Sequence, residues 1–193
     1  MRARIVGTGR GVPPQKLTNA DLEKMVETSD AWIVERTGIR ERRILDKSLA
    51  TSDLATEAGQ AACRNAGIDP ASLDCIVVAT VTPDHQFPST ATFVQKKIGA
   101  KPGGAAFDVS AACAGFLYGL SVADGFIARG TFEKILVVGV EVVSRIVDWT
   151  DRNTCVLFGD GAGAVVVVPE KDEKRGILST HICADGSYTD LLN

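Results

Sequence analysis

The stretch Ser110-Ala111-Ala112-Cys113-Ala114-Gly115-Phe116 sets a single cysteine between a strand and a helix, where a thiol has the surroundings of a nucleophile. The preceding 104–109 run is short, apolar and introduced by Pro102-Gly103, which predicts a buried strand of a parallel sheet. Across 114–129 apolar residues recur at Phe116, Leu117, Leu120, Ala123 and Ile127, a helical period that Gly130 stops. A cysteine at that helix N-terminus faces free backbone N–H groups and the positive end of the dipole, which favour thiolate over thiol. Its small neighbours leave room for a substrate carbonyl. The competing reading is a core cysteine ending a strand, the commoner fate of a free thiol. A second candidate is the pair Trp32 and Arg36. Four residues apart on a helix, they present an indole and a guanidinium on one face, suited to stacking on an aromatic base and pairing with phosphate. Arg40, Arg42 and Arg43 extend this into a cationic end, and a solvated basic face around a half-buried tryptophan is the alternative.

Composition narrows the classes. The chain has 193 residues, 45% of them hydrophobic, enough for the core of one domain or slightly more. A net charge of −3 gives no reason to expect a nucleic-acid partner, and no apolar run is long enough for a membrane span. Arg2 and Arg4 lead into Gly-Thr-Gly-Arg-Gly instead of an apolar leader, so a cytoplasmic protein is expected. Five widely spaced cysteines without a C-x-x-C, and two histidines, fit neither a disulfide framework nor a zinc site, and no metal is expected. Two glycine clusters fail as nucleotide loops. Gly7-Thr8-Gly9-Arg10-Gly11-Val12 lacks the third glycine of the dinucleotide fingerprint and runs into Pro13-Pro14, and Gly159-Asp160-Gly161-Ala162-Gly163 lacks a following Lys-Ser/Thr. The second is expected to make a tight reversal.

The elements that must position these residues alternate in type. Strands are predicted at 4–6, 75–81, 135–140, 162–168 and 177–183. Helices are predicted at 20–26 capped by Asn19, 30–36 capped by Ser29 and ended by Gly38, from Thr51 or Ser52 to Ala66 closed by Gly67, and 88–98 with Pro88 in its first turn. The charged run 169–175 is predicted as a solvated turn. This alternation predicts an α/β protein with a mostly parallel sheet covered by helices on both faces.

Four segments in order, 28–42 (Thr-Ser-Asp-Ala-Trp-Ile-Val-Glu-Arg-Thr-Gly-Ile-Arg-Glu-Arg), Phe87-Pro88-Ser89, 107–116 around Cys113, and Phe158-Gly159-Asp160-Gly161-Ala162-Gly163-Ala164, together resemble β-ketoacyl-acyl-carrier-protein synthase III. The resemblance runs from the first strand to 185–188. It implies a thiolase-like α/β fold built of two related halves around a tunnel, usually a homodimer, with 1–175 as the N-terminal domain and 176–193 as the start of the second half. It implies no cofactor beyond two substrates, acetyl-CoA (or another short acyl-CoA) and malonyl-acyl-carrier protein. Cys113 would take the acyl group, and Thr28, Trp32, Arg36 and Arg152 would hold coenzyme A, with Trp32 and Arg152 on either side of the adenine. Phe158 and Val143 would line the acyl pocket, with Phe87 closing that of a dimer partner; without the resemblance, these three read as core. The family's catalytic histidine and asparagine lie in the later half and neither His85 nor His181 matches them, so the chain alone is expected to transfer acetyl slowly or not at all, not to condense, and to expose apolar surface. Other readings are a polyketide- or quinolone-pathway acyltransferase of the same superfamily, a non-catalytic CoA-binding subunit, and a cysteine hydrolase using Cys113, Asp148 or Asp160, and His181. Against the hydrolase, Ala111 stands where its elbow requires glycine.

Overall fold

The computed structural model describes residues 1–172 and 174–191. In chain order, β1 (Arg2–Gly11) is followed by β2 (Gln15–Thr18), α1 (Asn19–Leu22), α2 (Asp30–Thr37), β3 (Glu41–Ile44) and α3 (Thr51–Ala66). Then come β4 (Cys75–Ala79), α4 (Thr90–Ile98), β5 (Ala105–Val109), α5 (Gly115–Ala128), β6 (Ile135–Val142) and β7 (Asp160–Glu170). One sheet has the order β1-β7-β6-β4-β5, and β2 and β3 form a separate antiparallel pair. The pairs β4–β5 and β4–β6 are parallel, while β7 is antiparallel to both β6 and β1. Four strands therefore share one direction and β7 alone is reversed.

Both faces of the central strands are buried, which is why they read as unbroken apolar runs. Ile76, Val78, Leu136 and Val138 pack with Leu54, Ala58, Ala62 and Val94 of α3 and α4. Cys75, Val77, Ile135 and Val137 pack with Leu120, Ala123 and Ile127 of α5 on the other face. The glycines of β1 answer to α3: a Cβ at Gly9 would stand 2.2 Å from the Ala58 carbonyl oxygen and 2.3 Å from the Ala62 nitrogen. The first glycine cluster is thus a strand on which a helix backbone rests.

Several local expectations change. Thr18, not Asn19, caps α1, its hydroxyl accepting from the Asp21 N–H while Asp21 accepts from the Thr18 N–H; Asn19 is 2% exposed and bonded elsewhere. Helix α4 starts at Thr90, two residues beyond Pro88, because Asp108 of β5 accepts from the N–H groups of Thr90 and Ala91 at 2.6 and 2.8 Å. Gly161 and Gly163 lie inside β7, opposite Glu141 and Gly139, so the reversal falls in 143–159. The 177–183 segment is no strand: Ile177 donates one bond to the Ala3 carbonyl at 2.8 Å, and Leu178 and Ile182 stay exposed without a ladder or a sheet face to cover them. Of the charged run, residues 169 and 170 complete β7 and 171, 172, 174 and 175 turn, while Glu173 lies outside the described residues, as do Leu192 and Asn193 of the 176–193 segment. The caps by Ser29, Gly38 and Gly67 stand as predicted. Among the described residues, no helix is long and apolar enough to cross a membrane.

Burial pushes the thiol of Cys63 up to about 11 and that of Cys75 up to about 12, with Asp69 and Asp74 adding to the shifts. Above the ordinary thiol value of 9.0 the unfolded chain releases these protons and the folded chain keeps them. Their contribution to stability is complete below that pH and is lost as pH rises through about 11 to 12. Thermal melts across this range should show a falling midpoint, with a smaller fall when both residues are alanine; identical pH slopes for the two proteins would contradict the assignment.

Candidate active site and nucleotide-binding face

Cys113 follows β5 at a sharp elbow. Ala112 has φ of 45°, the left-handed region that a residue with a Cβ rarely adopts, and a single 3-10 turn (Ala112–Ala114) passes directly into α5. The elbow sits low because residue 115 is glycine: a Cβ there would lie 3.1 Å from the Ala79 Cβ at the end of β4. Cys113 is exposed. It lines a cleft of about 260 Å³ with Ala79, Ala112, Phe116, Gly139, Val140, Glu141, Gly159 and Gly161. The cleft thus gathers the C-terminal ends of parallel strands β4, β5 and β6, the edge at which α/β sheets bind ligands. Cys63, Cys75 and Cys155 are buried, and Cys183 is the other exposed thiol. Burial also pushes the Cys155 thiol up.

The second cluster assembles on α2. Ser29 accepts from the Trp32 N–H at 3.1 Å, and Gly38 ends the helix with φ of 72°. The guanidinium carbons of Arg36 and Arg152 lie 4.6 and 4.8 Å from the Trp32 ring centroid. Both are cation–π distances, and Arg152 arrives from far along the chain. Glu27, Thr28, Ser29, Trp32 and Arg152 line a recess of about 220 Å³. The Thr28 Oγ1 is buried and has no hydrogen-bond partner among the described residues, an orphan that a ligand N–H or carbonyl would satisfy. An indole, two guanidiniums and an unsatisfied hydroxyl fit an adenine with nearby phosphates.

A family profile described as 3-Oxoacyl-[acyl-carrier-protein (ACP)] synthase III matches residues 107–186. A Beta-ketoacyl-[acyl-carrier-protein] synthase III of Natranaerobius thermophilus is 58% identical over 192 residues, covering 98% of this chain and 58% of the relative. This chain belongs to that family. The crystal structure of a 3-oxoacyl-[acyl-carrier-protein] synthase III from Aquifex aeolicus VF5 superposes with a TM-score of 0.85 at 53% identity, over 89% of this chain and 55% of that one. The corresponding synthase III from Thermus thermophilus superposes at 0.90 and 42% identity, over 97% and 57%. The fold is therefore the thiolase-like one of the synthase III structures. The chain spans about 58% of the length of the curated relatives it matches first.

The residues carried over from the synthase III family fall into two groups. Thr28, Trp32, Arg36 and Arg152 come together. The acyl-pocket residues are less gathered: Phe158 adjoins Gly159 of the cleft wall and is 40% exposed, Val143 begins the 3-10 turn after β6, and Phe87 is 84% exposed on the 80–89 loop, outside the cleft. The hydrolase reading loses its acids. Asp160 is 6% exposed and its oxygens accept from the Leu45 N–H, the Ser144 N–H and the Ser144 hydroxyl, leaving no place for an imidazole. Asp148 is turned to its own Thr150, and Thr150 hydrogen bonds hold its carboxyl below the usual range. His181 is exposed and outside any strand.

Sequence reasoning missed Glu141 and gave Arg42 and Asn19 other places than the ones they take. Glu141 lines the cleft and accepts from the Val81 N–H at 2.9 Å and the Thr82 hydroxyl at 2.7 Å, tying the start of the 80–89 loop to β6. Its signal was an acid inside an otherwise apolar strand. Arg42 does not belong to the solvated cationic end: it is 4% exposed and points inward, and with Asn19 it forms a buried network. The signal was the alternation of β3, which sends Glu41 and Arg43 outward to Lys16 and to each other. Leu117, Phe158 and Leu157 are exposed apolar residues.

Proposed function

We propose that this chain carries the acyl-accepting half of a β-ketoacyl-acyl-carrier-protein synthase III, a thiol acyltransferase with Cys113 as nucleophile. The observation that carries the reading is the exposed thiol on a left-handed elbow at the C-terminal edge of parallel strands, in a fold that also builds the Trp32 face. Acetyl-CoA would lay its adenine against Trp32, between the indole and Arg152. Arg152 must then swing from its direct contact, because a ring does not fit within 4.8 Å between two stacked planes. Arg36 and the orphan Thr28 hydroxyl would take polar atoms of the nucleotide.

The Cys113 Sγ, as thiolate, attacks the thioester carbon; the new C–S bond forms, the bond to the CoA sulfur breaks, and CoA leaves as thiolate and takes a proton. A thiol suits both this step and its reversal as leaving group. In the second step malonyl-acyl-carrier protein loses CO₂, and the resulting carbanion attacks the Cys113 thioester, giving acetoacetyl-acyl-carrier protein and the free thiolate. The Cys113 N–H at the head of α5 would donate to the oxyanion of both tetrahedral species. The other donors of the family reaction, a histidine, an asparagine and a glycine N–H, have no match here, so the chain by itself is expected to yield no condensation product. The same reading takes acyl-carrier protein as partner and places Phe87 against the acyl pocket of a second copy.

The test separates binding from chemistry. Trp32→Ala should weaken CoA binding by about 1–3 kcal/mol, the usual worth of one base stacked on an aromatic ring, with an unchanged circular-dichroism spectrum. Titration calorimetry showing equal affinity for the two proteins would remove Trp32 from the site.

A further inference from the structure

The buried network around Arg42 joins the two ends of the acyl-CoA site. Arg42 Nε donates to the Val156 carbonyl at 2.9 Å and Nη2 donates to the same oxygen; Nη1 donates to Asn19 Oδ1 at 2.5 Å. Asn19 Nδ2 in turn donates to Asp30 Oδ1 at 2.7 Å and to the Ile39 carbonyl at 2.9 Å. Arg42, Asn19 and Val156 are 4%, 2% and 1% exposed, so these groups have exchanged water for one another. No carboxylate among the described residues pairs with this guanidinium directly. Its nearest countercharge along the network is Asp30, one amide away. A charge buried on such terms costs several kcal/mol of desolvation, which packing alone does not require.

Its termini make the arrangement informative. Asp30 is the first residue of α2 and lies two residues before Trp32; Val156 lies two residues before Phe158, in the segment that continues to Gly159 in the Cys113 cleft wall. Gly159 rests on the same strand, since a Cβ there would stand 3.0 Å from the Arg42 Cβ. The planar fork of Arg42, extended by the Asn19 amide, thus ties the helix that carries Trp32 to the segment leading to the cleft.

We propose that Arg42 is a positioning residue: it fixes the Trp32 helix and the 156–159 segment at one separation, so that an acyl-CoA held by its nucleotide delivers its thioester to Cys113. This rests on the acyltransferase reading above. A misplacement of about 1 Å between anchor and reacting atoms can cost about 10²-fold in rate. Lysine cannot reproduce the fork, since it offers one nitrogen where three donate.

The experiment compares two acyl donors on the polypeptide as it is made in its source: acetyl-CoA, and the acetyl thioester of N-acetylcysteamine, which has the same reacting carbon and no nucleotide. The rate of Cys113 acylation is followed by intact mass. In the unaltered protein acetyl-CoA should be strongly preferred. In Arg42→Lys that preference should fall by about tenfold or more, with the rate from the small donor nearly unchanged. Asn19→Ser, which cuts the link to Asp30 and leaves Arg42 on Val156, should lower the preference in the same direction, and it decides the matter if Arg42→Lys does not fold. A folded variant that keeps the full preference, or one in which both donors slow by the same factor, overturns the positioning role while the acyltransferase reading stands. No preference in the unaltered protein overturns both.

Discussion

Replacing Cys113 by alanine in the polypeptide as it is made in its source should abolish acyl-enzyme formation, a loss of about 10⁴-fold or more measured as the acetyl mass increment on incubation with acetyl-CoA. The magnitude follows from the chemistry: nothing else in the cleft can form the thioester, as Glu141 has both oxygens engaged by Val81 and Thr82 and the other lining residues are apolar or glycine. Alkylation should show the same hierarchy. Iodoacetamide at neutral pH should modify Cys113 and Cys183, which are exposed, and leave Cys63, Cys75 and Cys155, which are buried. Burial and raised thiol values act together on Cys63 and Cys75, and a gap of about 10² in labelling rate from the exposed pair is expected. Acetylation persisting in Cys113→Ala, or alkylation of all five at one rate, would remove the thiol from its assigned role.

Gly9→Ala should cost about 3 kcal/mol of folding stability or more, although it adds a single methyl group. The methyl would meet backbone atoms of α3 on both sides, the Ala58 oxygen and the Ala62 nitrogen, at 2.2 and 2.3 Å. Backbone cannot rotate away as a side chain can, so relief requires α3 to lift from β1 and to open the apolar contacts of Leu54, Ala58 and Ala62 with the sheet. Urea denaturation would show the effect as a lowered midpoint at unchanged slope. A change under about 0.5 kcal/mol would mean that strand and helix are not in the contact described. Gly161→Ala is the control, as nothing among the described residues lies within 4 Å of a Cβ at that position.

Much of the site is legible in the residue order alone. The Cys113 elbow, the Ser29-to-Gly38 helix carrying Trp32 and Arg36, and the apolar central strands all follow from signals contained within a few neighbouring residues: a cap, a period, a stop. Arg152 on Trp32 comes only through the family resemblance, because residues 120 apart carry no local mark of meeting. The orphan Thr28 hydroxyl cannot be read from the chain at all, since satisfaction of a polar atom depends on everything packed around it.

By itself, then, the sequence determined which segments are strands and helices through the middle of the chain, where the nucleophile stands between them, and which family the motifs belong to. Those properties depend on φ/ψ preferences and on apolar periodicity, both local. The tertiary structure decided that β7 runs against its neighbours, that 177–183 finds no ladder, that the Gly7–Gly9–Gly11 spacing receives a helix, and that Arg42 turns inward to join α2 to the cleft. Each of these is set by which distant surface is close enough to exclude water, and a buried guanidinium and a strand of bare glycines acquire their meaning only from the atoms that exclusion brings against them.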